Sequence, residues 1–403
     1  MWEDSFDINV VREIRVKTNV FLGVGAINKL DFIAGKLKER GVKTVLCVTG
    51  GRSYKTTGAW DNLQTACAKH GIEIVLYDKV TPNPTTDSID EAAALGAAKG
   101  AAAVIAIGGG SPIDAGKSAA ILLANPGKTA EELYTGKFDA EKAAPIVVVN
   151  LTHGTGSEAN RFAVATILKA DYKPAIAFDC IYPWYSIDDP ALMASLPPNQ
   201  TRYVSIDAVN HSLEAATAVT ANPLSIELAQ NCIALVARWL PEAIADPKNL
   251  RARYFLAYAA LIAGVSFDNG LLHYTHALEH PLSAVKPDLA HGLGLAMIVP
   301  AVVETIYPAR ADVLAEILAP IAPGLKGEAA EAAACAAAVE KWLSGVGVAQ
   351  KLEDEGYKAA DVARLVELAQ VTPSLAGLLS VAPVDSTPEI IAAIYTRSLK
   401  PMN

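Results

Sequence analysis

Short apolar runs alternate with longer mixed segments through the first half of the chain. Residues 43–48, 72–77, 103–107 and 145–150 are rich in apolar and β-branched positions and too short to read as helices. Three of them run into Gly- or Thr-rich turns: Thr49-Gly50-Gly51, Gly108-Gly109-Gly110 and Leu151-Thr152-His153-Gly154-Thr155-Gly156. Apolar strands separated by helix-length segments predict βα units and a parallel sheet covered on both faces. Ligands of such sheets bind beyond the carboxyl ends of the strands, where these turns lie. After residue 190 the pattern changes to long Ala- and Leu-rich stretches of helical character. The expected division is an α/β domain over 1–190 and an all-helical domain over 191–403. Asn199 or Thr201, after Pro197-Pro198, is placed to start a helix. The Ala-rich stretch 328–343 reads as a helix without chemistry, and residues 14–20 alternate like an edge strand that could pair across a dimer.

Composition narrows the classes. A chain of 403 residues, 52% hydrophobic and 19% charged, has a large buried interior and is too long for one ordinary core. Its apolar runs fall short of the roughly 18–20 residues a bilayer span needs, or are broken by Gly and Pro. The acidic start, Met-Trp-Glu-Asp, lacks the pattern of a signal peptide, so a cytoplasmic protein is expected. Five scattered cysteines read as reduced thiols rather than a disulfide frame. A formal charge of −9 without a basic stripe argues against a nucleic-acid partner.

Four of the seven histidines, His273, His276, His280 and His291, fall within one short stretch, and His211 follows Asp207 by four. Imidazole is the commonest protein ligand for divalent transition metals, and Asp-x-x-x-His on a helix puts both side chains on one face. Asp207, His211, His276 and His291 make a three-nitrogen, one-oxygen set without a thiolate pair, which favours a catalytic metal over a zinc finger. His273, His276 and His280 could share one helical face, and Pro281 limits how that helix can continue. Gly108-Gly109-Gly110-Ser111-Pro112-Ile113-Asp114 follows a strand and opens a helix, as a phosphate-binding turn would. It matches neither a Walker A loop, since five residues separate Gly110 from Gly116, nor the Rossmann glycine pattern.

Gly-Gly-Gly-Ser-Pro-x-Asp, Gly154-Thr-Gly-Ser-Glu158, Asp207-x-x-x-His211, His276-x-x-x-His280-Pro-Leu and His291-Gly occur in order. Together they resemble the signatures of the iron-containing (group III) alcohol dehydrogenases from about residue 18 to the end. The resemblance implies an α/β dinucleotide-binding domain followed by an all-helical domain, the architecture shared with dehydroquinate synthase, and an active site in the cleft between. It implies Asp207, His211, His276 and His291 as ligands of Fe(II) or Zn(II), and His280 near the nicotinamide as a proton relay. Gly109, Gly110 and Ser111 would meet the pyrophosphate, and Asp114, Thr152, Thr155 and Lys173 would line the cofactor site. Departures from the family pattern are Ser205, Leu151, His153, and a longer approach to His291 containing Lys286.

At the second strand's end, Gly50-Gly51-Arg52-Ser53 stands where NAD-using relatives often carry an acid that binds the ribose. Gly50, Gly51 and Ser53 are therefore expected to favour NADP(H) over NAD(H). The implied activity is reversible hydride transfer between a small primary alcohol and its aldehyde, in a homodimer or larger oligomer. Two alternatives stand beside it: a reductase of an anionic carbonyl compound, with His153, Arg161 and Lys286 supplying charge, and a cyclising lyase like dehydroquinate synthase.

Overall fold

Six parallel strands in the order β1-β8-β5-β4-β2-β3 build the sheet of the computed structural model, which describes residues 14–402. In chain order they are β1 (Asn19–Leu22), β2 (Thr44–Gly50), β3 (Glu73–Val80), β4 (Ala103–Gly108), β5 (Ile146–Asn150) and β8 (Tyr185–Asp188). A small antiparallel pair, β6 (Phe162–Val164) with β7 (Ala175–Ala177), is inserted before the last strand. The period-2 geometry of a strand divides the core. Leu46, Val48, Val104, Ala106, Ile146 and Val148 pack on one face against α4 (Thr86–Ala98) and α5 (Gly110–Ala124). Val45, Cys47, Ile105, Ile107, Val147 and Val149 pack on the other against α1 (Lys29–Glu39) and α3 (Ala59–His70). Both faces are covered, which is why these strands read as unbroken apolar runs.

The helical region contains α8 (Pro198–Thr217), α9 (Pro223–Ala245), α10 (Leu250–Gly270), α11 (Tyr274–Val285) and α12 (His291–Ile306), followed by further helices. One of these, Ala332–Gly345, is the Ala-rich stretch. Two compact units result. One holds 17–197 and 246–261; the other holds 14–16, 198–245 and 262–402. The main cut falls at 197/198, while the first part of α10 groups with the sheet unit and the rest with the helical unit.

Three further expectations change. Alternation from Ile14 does not make a strand until Asn19; instead the Arg15 backbone exchanges two hydrogen bonds with the Asn269 side chain, at 2.6 and 2.9 Å. Helix α11 runs through Pro281 to Val285, since burial of every residue from Tyr274 to Ala284 outweighs the one backbone bond proline cannot make. Two helices, Leu250–Gly270 and His291–Ala309, are long and apolar enough to cross a membrane, because Gly and Pro residues interrupt composition without ending the helix. Their most apolar windows are 61% and 78% buried within the fold. All five cysteines are unpaired, four of them buried. The acidic residues 1–7 lie outside the described region.

Candidate active site

The helical unit brings the acid and three histidines together. Asp207 and His211 share one face of α8, His276 lies in the first turn of α11, and His291 opens α12. The Nε2 atoms of His211, His276 and His291 stand 3.5, 3.5 and 3.8 Å from Asp207 Oδ1. Donor atoms of Asp207, His276 and His291 all lie within 4.8 Å of one another, and the His211 ring stacks on that of His276 at 4.5 Å. Asp207 Oδ1 and His276 Nε2 are buried and make no hydrogen bond among the described residues. Buried polar atoms are nearly always satisfied, so converging atoms without partners fit a cation. Three nitrogens and one oxygen suit Fe(II) or Zn(II).

Electrostatics agree. Burial raises the Asp207 carboxyl, but the facing His211, His276 and His291 bring it down to about 2. Burial lowers His276, yet Glu214 and Asp207 lift it to about 9, the mark of a strongly negative field. His211 is pushed by burial to about 4, leaving it neutral as a ligand must be.

Two acids absent from the sequence reading complete the centre. Glu214, on α8 and fully buried, approaches His276 Nδ1 through Oε2. Its Oε1 accepts the backbone N–H of His273 at 3.1 Å, Thr275 at 2.6 Å and His276 at 3.3 Å. It thereby caps the start of α11 from a neighbouring helix, with its negative charge at the helix's positive end. Glu279, also fully buried, approaches His291 Nδ1. A usable signal existed: Glu214 extends Asp207-x-x-x-His211 by three on the same face, and Glu279 stands in an otherwise apolar stretch beside His280. His273 is not on the ligand face but caps α11, accepting from Tyr274 N at 2.7 Å. His280 is buried, its ring 6.0 Å from that of His291.

In the sheet unit, Gly108 ends β4 and Gly109 precedes α5, whose start has no side-chain cap. Such a helix N-terminus offers N–H groups to a phosphate. Side chains on Gly109 and Gly110 would come within 2.7 Å of Thr152 and 2.6 Å of Thr155, so these glycines let the β5 turn close onto the β4 turn. Ser111 is half-buried beside them and Lys173 is buried in the β6–β7 hairpin region. Gly51 and Ser53 are exposed past the end of β2, with Gly50 half-buried.

Asp114 is committed elsewhere. Its oxygens accept from Ser157 Oγ at 2.7 Å and Val164 N at 3.0 Å, so its carboxylate holds the loop behind the turn. Lys117, fully buried one turn later, donates to Ser157, Asn160 and Phe162 of that loop. The three positions expected to offer charge to a substrate are likewise engaged. His153 is fully buried and its Nε2 accepts from Arg253 Nη1 at 2.8 Å; burial and that guanidinium push it down to about 3. Arg161 pairs with Asp179 at 3.4 Å, and Lys286 with Glu355 at 3.1 Å.

A family model described as iron-containing alcohol dehydrogenase matches residues 17–190, and that family's C-terminal model matches 201–399. A long-chain primary alcohol dehydrogenase of Thermoanaerobacter ethanolicus is 57% identical, covering 99% of this chain and 100% of its own. The 1,3-propanediol dehydrogenase of Klebsiella pneumoniae is 34% identical over 85% of this chain and 89% of its own. The crystal structure of an NADH-dependent butanol dehydrogenase from Thermotoga maritima superposes with a TM-score of 0.87 at 30% identity, over 97% of this chain and 99% of that one.

Proposed function

Because the chain belongs to the iron-containing alcohol dehydrogenase family, we propose that it interconverts a primary alcohol and its aldehyde with a nicotinamide, NADP(H) before NAD(H). The observation carrying this reading is the convergence of three imidazole nitrogens on the buried Asp207 Oδ1. Asp207, His211, His276 and His291 would hold a divalent ion, which supplies Lewis acidity to the substrate oxygen, while the nicotinamide supplies or takes the hydride. Gly109, Gly110 and Ser111 hold the pyrophosphate at the start of α5, and Thr152, Thr155 and Lys173 line the same site. His280 takes the proton of the substrate hydroxyl and returns it in the reverse direction.

The NADP(H) preference rests on the turn that leaves β2. Gly51 and Ser53 are exposed, and a side chain on Gly51 would meet nothing within 4 Å, which leaves room for a 2′-phosphate beside Arg52. An anionic carbonyl substrate draws no support from His153, Arg161 or Lys286, all of which are engaged within their own units. The Thermoanaerobacter relative's name adds long-chain primary alcohols to the short ones expected from the sequence. Edge strand β1 supports a homodimer, and the burial of the two long apolar helices supports a soluble enzyme.

The test is nicotinamide absorbance, followed anaerobically with metal-stripped protein reloaded with Fe(II) or Zn(II). NADPH and NADH are each paired with short, long and anionic aldehydes. Metal-dependent oxidation of NADPH by uncharged straight-chain aldehydes is expected. Equal or better kcat/KM with NADH overturns the cofactor preference, and no turnover despite bound metal and nucleotide overturns the reaction.

A further inference from the structure

The two histidines that face Asp207 from α11 and α12 share a feature that His211 lacks. Each has its second ring nitrogen against a fully buried carboxylate: His276 Nδ1 against Glu214, and His291 Nδ1 against Glu279. A ring whose Nδ1 is engaged this way has only Nε2 to offer, and both Nε2 atoms point to Asp207 Oδ1. His211 has no hydrogen-bond partner at Nδ1 among the described residues and is held by stacking between Phe267 and His276, at 4.5 Å from each.

A second observation concerns α12. A side chain at Gly294 would lie 2.7 Å from Glu279 Cγ and 2.9 Å from its Oε1. Gly294 stands three residues after His291, one turn along the same face, so the absent side chain is the space that Glu279 occupies while reaching His291. Helix α12 is apolar along almost its whole length, and a carboxylate buried against it is unfavourable unless a partner compensates. The imidazole is that partner. His291 is also the least buried of the four ligands, so more of its orientation must come from contacts it makes within the helical unit.

We propose that Glu279 and Glu214 are positioning residues that fix His291 and His276 as Nε2 ligands, and that Gly294 is required because it makes room for Glu279. This inference rests on the reading of Asp207, His211, His276 and His291 as a metal centre. Glu214 acts on more than the ligand, because it also caps α11.

The experiment is a titration of metal-stripped protein with Co(II), read by its visible absorption bands and by competition with a chelator. Apo-protein melting measured by circular dichroism serves as the control on folding. Glu279→Gln is expected to raise the Co(II) dissociation constant about 10–100-fold and alter the bands, with the apo protein still folded. Gly294→Ala is expected to do the same in the parent and to add nothing in a Glu279→Ala background, since no carboxylate is then left to displace. Unchanged Co(II) affinity and spectrum in Glu279→Gln, beside weakened binding in His291→Ala, overturns the positioning role alone. Full affinity in His291→Ala overturns the metal reading and the positioning role with it. Glu214→Gln should behave as Glu279→Gln, with a lower apo melting temperature because the oxygen that caps α11 loses its negative charge.

Discussion

Replacing Lys117 with Met would test how much the loop behind the glycine turn depends on one buried charge. The ammonium donates to Ser157 Oγ at 2.8 Å, Asn160 O at 2.9 Å and Phe162 O at 2.8 Å, with Asn160 Oδ1 at 3.3 Å. Methionine fills much of the same volume and donates nothing. Ser157 keeps its bond to Asp114, but two carbonyls lose their charged donor. At about 1–3 kcal/mol for each such buried acceptor the loss is about 2–6 kcal/mol. Release from desolvating an ammonium offsets part of that, leaving a net loss of about 3 kcal/mol. For a unit of this size that is roughly 6–12 °C in melting temperature.

Asp114 adds a signature in pH. Burial raises its carboxyl to about 6 even though Lys117 pulls it down. An acid raised on folding holds its proton more tightly folded than unfolded. Its contribution to stability is therefore present at low pH and is lost as pH rises from about 4, the unfolded value, through the folded one. Without Lys117 the folded value rises further and the window extends upward, with a limiting slope of about 1.4 kcal/mol per pH unit. Thermal unfolding by circular dichroism across mildly acid to mildly alkaline pH measures both effects. Melting within about 2 °C of the parent at every pH would refute the argument. Nucleotide affinity should fall in parallel, because Thr155 sits at the start of the anchored loop.

Three other changes probe separate parts of the molecule. Gly292→Ala puts a carbon 2.1 Å from the Tyr203 carbonyl oxygen, so α12 must shift by about 1 Å against α8; that exceeds the roughly 0.2 Å a metal–ligand bond tolerates, and bound metal measured after dialysis should drop sharply. His280→Ala should slow turnover about 10²–10⁴-fold while the metal content stays at the parent level, whereas metal loss would make His280 a ligand instead. His153, lowered on folding to about 3, contributes stability that is present above about 6.5 and lost as pH falls toward 3; His153→Gln should flatten that acid-side slope in urea unfolding, and an unaltered slope would show that His153 is not the group responsible.

Local geometry explains which parts of the site were legible. Asp207 and His211 are four apart on a helix, and that spacing alone places them on one face. The strands declared themselves through unbroken apolar runs, because a sheet covered on both faces has no polar side to show. Gly109 and Gly110 were readable as a turn, yet their tight contacts with Thr152 and Thr155 depend on how closely β4 and β5 lie. Glu214 and Glu279 went unread because an acid in a helix has no visible partner until the neighbouring helix is placed. The turn after β5 shows His153 as a polar residue without a visible partner, and Arg253, which bonds it, is 100 residues away in sequence. Pro281 was read as a helix limit, and the packing around α11 outweighed that local preference.

Two kinds of architecture, four candidate ligands and the glycine turn are legible in the chain alone, because each is written in spacings of a few residues that backbone geometry converts directly into position. Contacts between distant segments set which nitrogen of each histidine faces Asp207, which carboxylates stand behind His276 and His291, and which charges are spent internally. Those outcomes depend on side chains from distant segments meeting at hydrogen-bond range, and burial makes such meetings obligatory, since a charge removed from water must find a partner among whatever residues the fold brings to it.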